Sequence, residues 1–152
     1  MATSKMTGSG LSILGLVALA GCATAEEAVV QAVSTTHHAT LTGAQVVPPG
    51  GDADGYATAE LSVSDELNQI CYDVNEVRNL DPITSVTINR GASGQAGPPI
   101  LRVDRANEGD WKNCVNKAEW LEQSFEYAPG AYYILIATTR YPNGAIRGQF
   151  HD

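Results

Sequence analysis

The segment Tyr56 to Val63 alternates apolar and polar residues, and this alternation constrains the fold more than any other feature of the chain. Its apolar members, which share one face of an extended chain, are Ala57, Ala59, Leu61 and Val63. The segment Gln69 to Val74 repeats the pattern with Ile70, Tyr72 and Val74. A period of two is typical of a strand that buries one face, so both segments are predicted to be half-buried strands.

Further short apolar runs, separated by turn residues, predict more strands. They cover His38 to Leu41, Ile83 to Asn89, Ile100 to Val103, Tyr132 to Thr138 and Ala145 to Phe150. Pro142-Asn143-Gly144 predicts a hairpin turn between the last two runs. Lys117 to Phe125 is the helical candidate. The pattern predicts an all-β fold, an antiparallel Greek-key-like sandwich or barrel of about seven or eight strands with one short helix.

The N-terminal residues 11–21 form an apolar run after the basic residue Lys5. This run is too short to cross a bilayer as a helix and is typical of a secretory signal peptide, which we place at residues 1–21. Leu19-Ala20-Gly21-Cys22 resembles the lipobox of bacterial lipoproteins, in which the cysteine is lipidated and becomes the new N-terminus. The resemblance implies a lipid anchor on Cys22. The alternative is a secreted domain with an incidental cysteine.

The residues after the proposed anchor predict a tether followed by one domain. Ala23 follows Cys22 where an Asp would retain a lipoprotein, so resemblance to the lipoprotein sorting rule favours the outer membrane if the cell has one. Residues 22–37 read as the lipidated N-terminus with a flexible spacer, and residues 38–152 as the domain. We therefore expect a cell-envelope location.

The cysteine count is odd until one residue is assigned to lipid. Cys71 and Cys114 then form an even set, and an exported protein meets an oxidising compartment. A disulfide between them would stabilise the fold by roughly 3–4 kcal/mol in the chain-entropy model. The alternative is a pair of free buried thiols.

The charge distribution excludes one class of partner. The net charge is −8, and all 17 acidic residues lie after Cys22. An acidic domain without a basic cluster repels phosphate backbones, so nucleic acid is not an expected partner. The acidity is interpreted as a contribution to solubility.

Residues that could carry chemistry are scattered. His37 and His38 are adjacent on a predicted strand, so their rings point to opposite faces. Together with His151, they are interpreted as ordinary exposed histidines. The alternative is a fortuitous metal site on the surface. Arg147 is expected to form a salt bridge with a carboxylate. A set of carboxylates falls mostly in predicted loops and is therefore expected to be solvated, namely Asp52, Asp54, Asp65, Glu66, Asp73 and Asp81. The aromatic residues Trp111, Trp120, Tyr132 and Tyr133 are interpreted as core or rim.

Several motifs of the domain match one family. They are Leu41-Thr42-Gly43-Ala44-Gln45-Val46-Val47-Pro48-Pro49, Gly55-Tyr56-Ala57, Ile70-Cys71-Tyr72-Asp73-Val74, Asp81-Pro82-Ile83-Thr84, the glycine loop Arg90 to Pro98, Tyr132-Tyr133, and Tyr141 to Gln149. On these motifs, residues 38–150 resemble the CHRD domain, named after the extracellular protein chordin. The resemblance also implies cysteines at the positions of Cys71 and Cys114, in support of a disulfide.

The chain departs from the family at three positions. The resemblance implies a His-x-His before the glycine loop and another His before the hairpin, where this chain has Thr87, Asn89 and Ala137. Three such histidines could form a metal site, whereas Thr, Asn and Ala cannot bind copper or zinc in that manner. We therefore predict no metal and no other cofactor.

No catalytic set is recognised in the sequence, since the histidines lie near the ends of the domain. The leading hypothesis is a lipid-anchored envelope protein that acts as a non-catalytic binding or structural module for an unidentified protein or glycan. The alternative is a metal-binding or redox protein related to superoxide-dismutase-like sandwiches.

Overall fold

The computed structural model describes residues 34–64, 66–105, 109–116, 125 and 128–152. These residues form eight strands joined by turns and loops. The strands are β1 Thr35–Thr42, β2 Tyr56–Ser64, β3 Gln69–Arg78, β4 Ile83–Arg90, β5 Pro99–Arg102, β6 Trp111–Asn116, β7 Tyr132–Thr138 and β8 Ile146–Gln149. Two 3-10 turns, Gly43–Gln45 and Pro129–Ala131, follow β1 and precede β7.

The eight strands form one sheet in the order β5-β4-β7-β8-β1-β2-β3-β6, with all neighbours antiparallel. The sheet is curled into a half-barrel. Near one end of the order, the Tyr72 hydroxyl on β3 contacts both the backbone N–H and the carbonyl oxygen of Asp104, which lies just beyond β5 at the other end. The curl therefore brings the two ends of the sheet together, and the predicted all-β antiparallel class is confirmed.

The core lies on the inner face of the curl, as the alternation predicted. The inward residues of β2 and β3 are buried, and they join apolar residues of β1, β4, β7 and β8 in one cluster. Its fully buried members include Leu41, Leu61, Ile70, Ile88, Ile136 and Ile146. Burial of side chains of this size contributes about 1.5–3 kcal/mol each, so the period-two pattern fixes which face of each strand points inward.

The junction between β8 and β1 joins the two halves of the sheet. Thr42 and Arg147 are paired there. A Cβ at Gly148 would lie 2.9 Å from both the Leu41 Cγ and the Thr40 carbonyl oxygen, so glycine is required for the two strands to approach. Gly148 thereby separates two outward-facing side chains of β8, Arg147 and Gln149.

Three strands differ from the prediction by three residues or more. The strand β3 continues four residues past the predicted end at Val74, to Arg78. The first strand begins at Thr35, three residues before the predicted His38, because Thr35 to His37 pair with the end of β2. The strand β6 was not predicted, because Asn113 interrupts the apolar face that Trp111 and Val115 form on β6. The predicted helix Lys117 to Phe125 lies outside the described residues except for Phe125, which is buried and stacks on Tyr132 with ring centroids 4.3 Å apart.

The predicted hairpin between β7 and β8 is confirmed. The N–H of Gly144 donates to the carbonyl oxygen of Tyr141, and the N–H of Ala145 donates to that of Ile136. Gly144 has a φ of 134°, a backbone conformation that favours glycine. Gly144 therefore has the kind of backbone conformation on which the predicted hairpin turn depends.

Candidate functional site

The glycine loop, Arg90 to Pro98, begins at the last residue of β4, ends just before β5 and lies over the outer face of β4, β7 and β8. The N–H of Gly91 donates to the Ala131 carbonyl oxygen at 2.8 Å, and the N–H of Arg90 donates to that of Pro98 at 3.0 Å. A Cβ at Gly97 would collide with the carbonyl oxygen of Arg90. Gly94 has a φ of 78°, so the backbone conformation requires glycine at both positions.

Arg147 is buried beneath this loop, with 2% of its surface exposed. Its two terminal nitrogens donate to the carbonyl oxygens of Gln95 at 2.8 Å and Ala92 at 2.9 Å, and one of them also donates to the Gln149 side-chain oxygen. The guanidinium carbon lies 3.6 Å from the centre of the Tyr133 ring. These contacts place the cation between an aromatic face and a row of carbonyl oxygens.

The predicted partner of Arg147 was wrong. We expected a carboxylate, whereas the partners are backbone carbonyl oxygens and a side-chain amide. A guanidinium has five donors in a planar fork, so it can bind several carbonyl oxygens at once. Burial lowers the pKa of Arg147, and the neighbouring Tyr133 opposes that shift.

Gln149 and Tyr133 hold the two ends of the glycine loop. The Gln149 amide nitrogen lies within hydrogen-bonding distance of the carbonyl oxygens of Gly91, Gly130 and Tyr132. The Tyr133 hydroxyl accepts from the N–H of Gly97 at 3.0 Å and contacts its carbonyl oxygen at 3.1 Å. Neither role was predicted. The signal available in the sequence was the i, i+2 spacing of Arg147 and Gln149, which places both on one face of a strand.

The three positions where the family resemblance implies histidine lie on the outer face. The Thr87 hydroxyl donates to the Asn89 side-chain oxygen at 2.7 Å, and the Asn89 amide donates to the Gly97 carbonyl oxygen at 3.1 Å. Ala137 pairs with Ser85, so it is diagonal to Thr87 across β4 and β7. Asn89 is therefore part of the support of the glycine loop. The prediction that no metal binds here stays a prediction.

The histidines do not form one site. His37 and His38 point to opposite faces, as predicted, but His37 is fully buried and the expectation of exposure is wrong for it. Its Nδ1 lies 3.0 Å from a carboxylate oxygen of the exposed Asp152, and its Nε2 has no hydrogen-bond partner. Its burial follows from its place on the inner face of β1, where every second residue from His37 to Leu41 is buried, and the Phe125 ring packs nearby with centroids 6.2 Å apart. His38 instead pairs with His151 through backbone hydrogen bonds.

None of the described carboxylates of this set is buried, and Asp54 and Glu66 are exposed. Asp52, Asp54 and Asp81 line an open cleft of about 590 Å³ together with Arg140, and Asp73 lies 3.5 Å from the Lys112 ammonium. Asp65 lies outside the described residues. In the described part of the chain, no group of three or more His, Cys, Asp or Glu residues could hold a metal ion.

The aromatic residues fit the core or rim interpretation. Tyr132 belongs to the core cluster, and Trp111 is partly buried against it with the Arg105 guanidinium 4.4 Å from the ring centre. Trp120 lies outside the described residues.

Among the described residues, the two cysteines are paired, as their even number predicted. Cys71 on β3 and Cys114 on β6 are directly opposite each other and form a disulfide, so free thiols are not found at these positions. Cys22, the predicted signal peptide and the spacer up to residue 33 lie outside the described residues. Among the described residues between 34 and 152, no helix is long and apolar enough to cross a membrane.

Comparison with known families gives one finding. The CHRD domain family matches residues 37–150, which include every described strand except the first two residues of β1, and the glycine loop with its supports. Neither the curated proteins nor the solved structures gave a match.

Proposed function

The chain belongs to the CHRD domain family, and from this premise we propose that it is a non-catalytic binding module of the cell envelope, anchored by lipid on Cys22. CHRD domains are generally extracellular, which agrees with an exported chain. The proposed ligand surface is the exposed part of the glycine loop, residues 92–96. Its partner would be another envelope protein or a glycan.

One observation carries the binding proposal. The loop projects backbone and small side chains into solvent, while Arg147, Gln149 and Tyr133 hold it from below. A loop that is ordered before binding loses less conformational entropy when a partner binds. The side chains of Arg147, Gln149 and Tyr133 could otherwise suggest catalysis. Because they form hydrogen bonds with the backbone of the loop, they support a binding role over an enzymatic one.

A photo-crosslinking amino acid at Ser93, at the exposed tip of the loop, tests the proposal. Thr84 is the control position because it is also exposed and lies on β4, the strand that leads into the loop. We expect a discrete adduct in the native envelope from position 93 and none from position 84. Equal adducts from both positions, or none from position 93, would contradict the proposal.

The anchor is tested separately by labelling cells with a fatty acid that can be detected on the protein. We expect the label on the native chain and its loss in Cys22→Ala, with the variant released from the membrane fraction. Label that persists in Cys22→Ala, or a native chain without label, would contradict lipidation at Cys22.

A further inference from the structure

The strand β6 is attached to the rest of the domain differently from the strands in the middle of the sheet. It lies at one end of the strand order and pairs with β3 on one side, and no described strand pairs with its other side. None of its six residues is fully buried. Trp111 and Val115 pack only partly against the core. A strand with few buried contacts and one row of ladder hydrogen bonds belongs to the least stable part of a sheet.

The disulfide joins β6 to β3 in the middle of their pairing. Six residues of β3, Gln69 to Val74, pair with residues of β6, and Cys71, the third of them, faces Cys114. Both cysteines are only half-buried and lie on the outer face of the curl. The bond therefore lies outside the apolar core, and it crosslinks β6 to its single described neighbouring strand.

We propose that the Cys71–Cys114 disulfide is a reducible latch, whose reduction releases β6 from β3 while the other strands remain folded. The reductant would be a dithiol oxidoreductase. One of its thiolates attacks either protein sulfur and forms a mixed disulfide, and the other cysteine leaves as a thiolate that takes up a proton. The second thiol of the reductant then resolves the mixed disulfide. The chain gains two electrons and two protons, and the reductant becomes a disulfide.

Release of β6 would have a structural consequence at β3. The backbone of Gln69 to Val74 that pairs with β6 would become an unpaired edge, the kind of surface to which an extended segment of another chain can add as a strand. The inference goes beyond the proposed function, because it concerns the opposite end of the sheet from the glycine loop and does not depend on what that loop binds.

Hydrogen exchange on the full-length folded chain, with and without dithiothreitol, tests the latch. We expect exchange of residues 111–116 and of 69–74 to rise at least about tenfold on reduction, with residues 132–138 of β7 unchanged. The strand β5 is an internal control, since it is the other edge of the sheet, also has no fully buried residue and carries no disulfide. Its exchange should not change.

Three results would overturn the proposal: unchanged exchange of β6 after reduction, a uniform loss of protection over all strands, and a disulfide that dithiothreitol does not reduce in the folded chain. The variant Cys71→Ser with Cys114→Ser should show the exchange pattern of the reduced chain and no response to dithiothreitol. If that variant does not fold, the comparison of oxidised and reduced native chain still decides between the latch and a purely structural bond.

Discussion

The two ends of the sheet are stabilised by different chemistry. At the β4–β7–β8 end, one buried cation and three polar side chains, those of Asn89, Tyr133 and Gln149, hold the glycine loop through hydrogen bonds to its backbone. At the β3–β6 end, a covalent bond holds an edge strand whose side chains are only partly buried. Polar support works at the first end because neighbouring strands bury the donors, whereas β6 has no described strand on its outer side to provide such burial.

Removal of the covalent support should give the largest change in stability. The bond closes a sequence separation of 43 residues, so Cys71→Ser with Cys114→Ser should lower the free energy of unfolding by about 4 kcal/mol in the chain-entropy model. Denaturant unfolding of the oxidised native chain and of the double variant measures the difference. A change below about 1 kcal/mol would mean that β6 is held mainly by its ladder and packing.

Removal of the buried cation should follow closely. Arg147→Ala leaves the carbonyl oxygens of Ala92 and Gln95 without their donor, and we expect a loss of about 3 kcal/mol because hydrogen bonds from a charged group are the stronger kind. Arg147→Lys is the matched control. It keeps the charge but not the planar fork, so it should recover less than half of the loss. Full recovery by lysine would show that charge alone holds the loop.

Two tyrosine hydroxyls, one at each end of the sheet, allow the two ends to be compared by removal of a single hydroxyl group. Tyr133 binds both backbone groups of Gly97, and Tyr72 binds both backbone groups of Asp104. Each Tyr→Phe change should cost about 1 kcal/mol or slightly more. Hydrogen exchange should separate them: Tyr133→Phe should increase exchange only in the glycine loop, and Tyr72→Phe should affect the strands on both sides of the curl. The same exchange pattern for both variants would contradict separate roles.

The smallest expected effect is a pH dependence carried by Tyr72. Burial is the main cause that raises its pKa above the ordinary value of 10.0, and the nearby Asp104 adds to the shift while hydrogen bonds oppose it. Because the folded-state pKa is the higher one, the contribution to stability is complete below pH 10 and is lost as the pH rises through the folded-state value. Unfolding measured from pH 8 to 11.5 should show this decline in the native chain and a weaker one in Tyr72→Phe. Equal slopes would exclude Tyr72 as the source.

The sequence predicted the strands whose inward residues are uniformly apolar, and the physical reason is visible over Ala57 to Leu61 of β2 and Ile70 to Val74 of β3, where burial follows the alternation. It did not predict β6, because Asn113 interrupts the apolar face and the strand is held by a disulfide in place of deep burial. Parity of the cysteines was sufficient to predict that bond. The alternation of apolar and polar residues therefore predicts strands that are stabilised by burial of one apolar face.

The site was less predictable than the fold. The carbonyl oxygens bound by Arg147 lie 52 and 55 residues away in the chain, and carbonyl groups have no signature in a sequence. The contact of the His37 ring with Phe125 is likewise made between distant segments, although the burial of His37 itself follows from the alternation of β1. Such contacts are set by how the sheet curls, and single-strand patterns do not contain that information.

The most direct test of the account is the backbone mobility of the glycine loop, measured by NMR relaxation in the native chain and in Arg147→Ala. We expect order parameters for Gly91–Gly97 near those of β4, about 0.85, in the native chain, and values below about 0.6 in the variant while β4 and β7 stay rigid. A loop that is already mobile in the native chain, or that stays rigid without Arg147, would contradict the claim that buried polar side chains hold this loop in place.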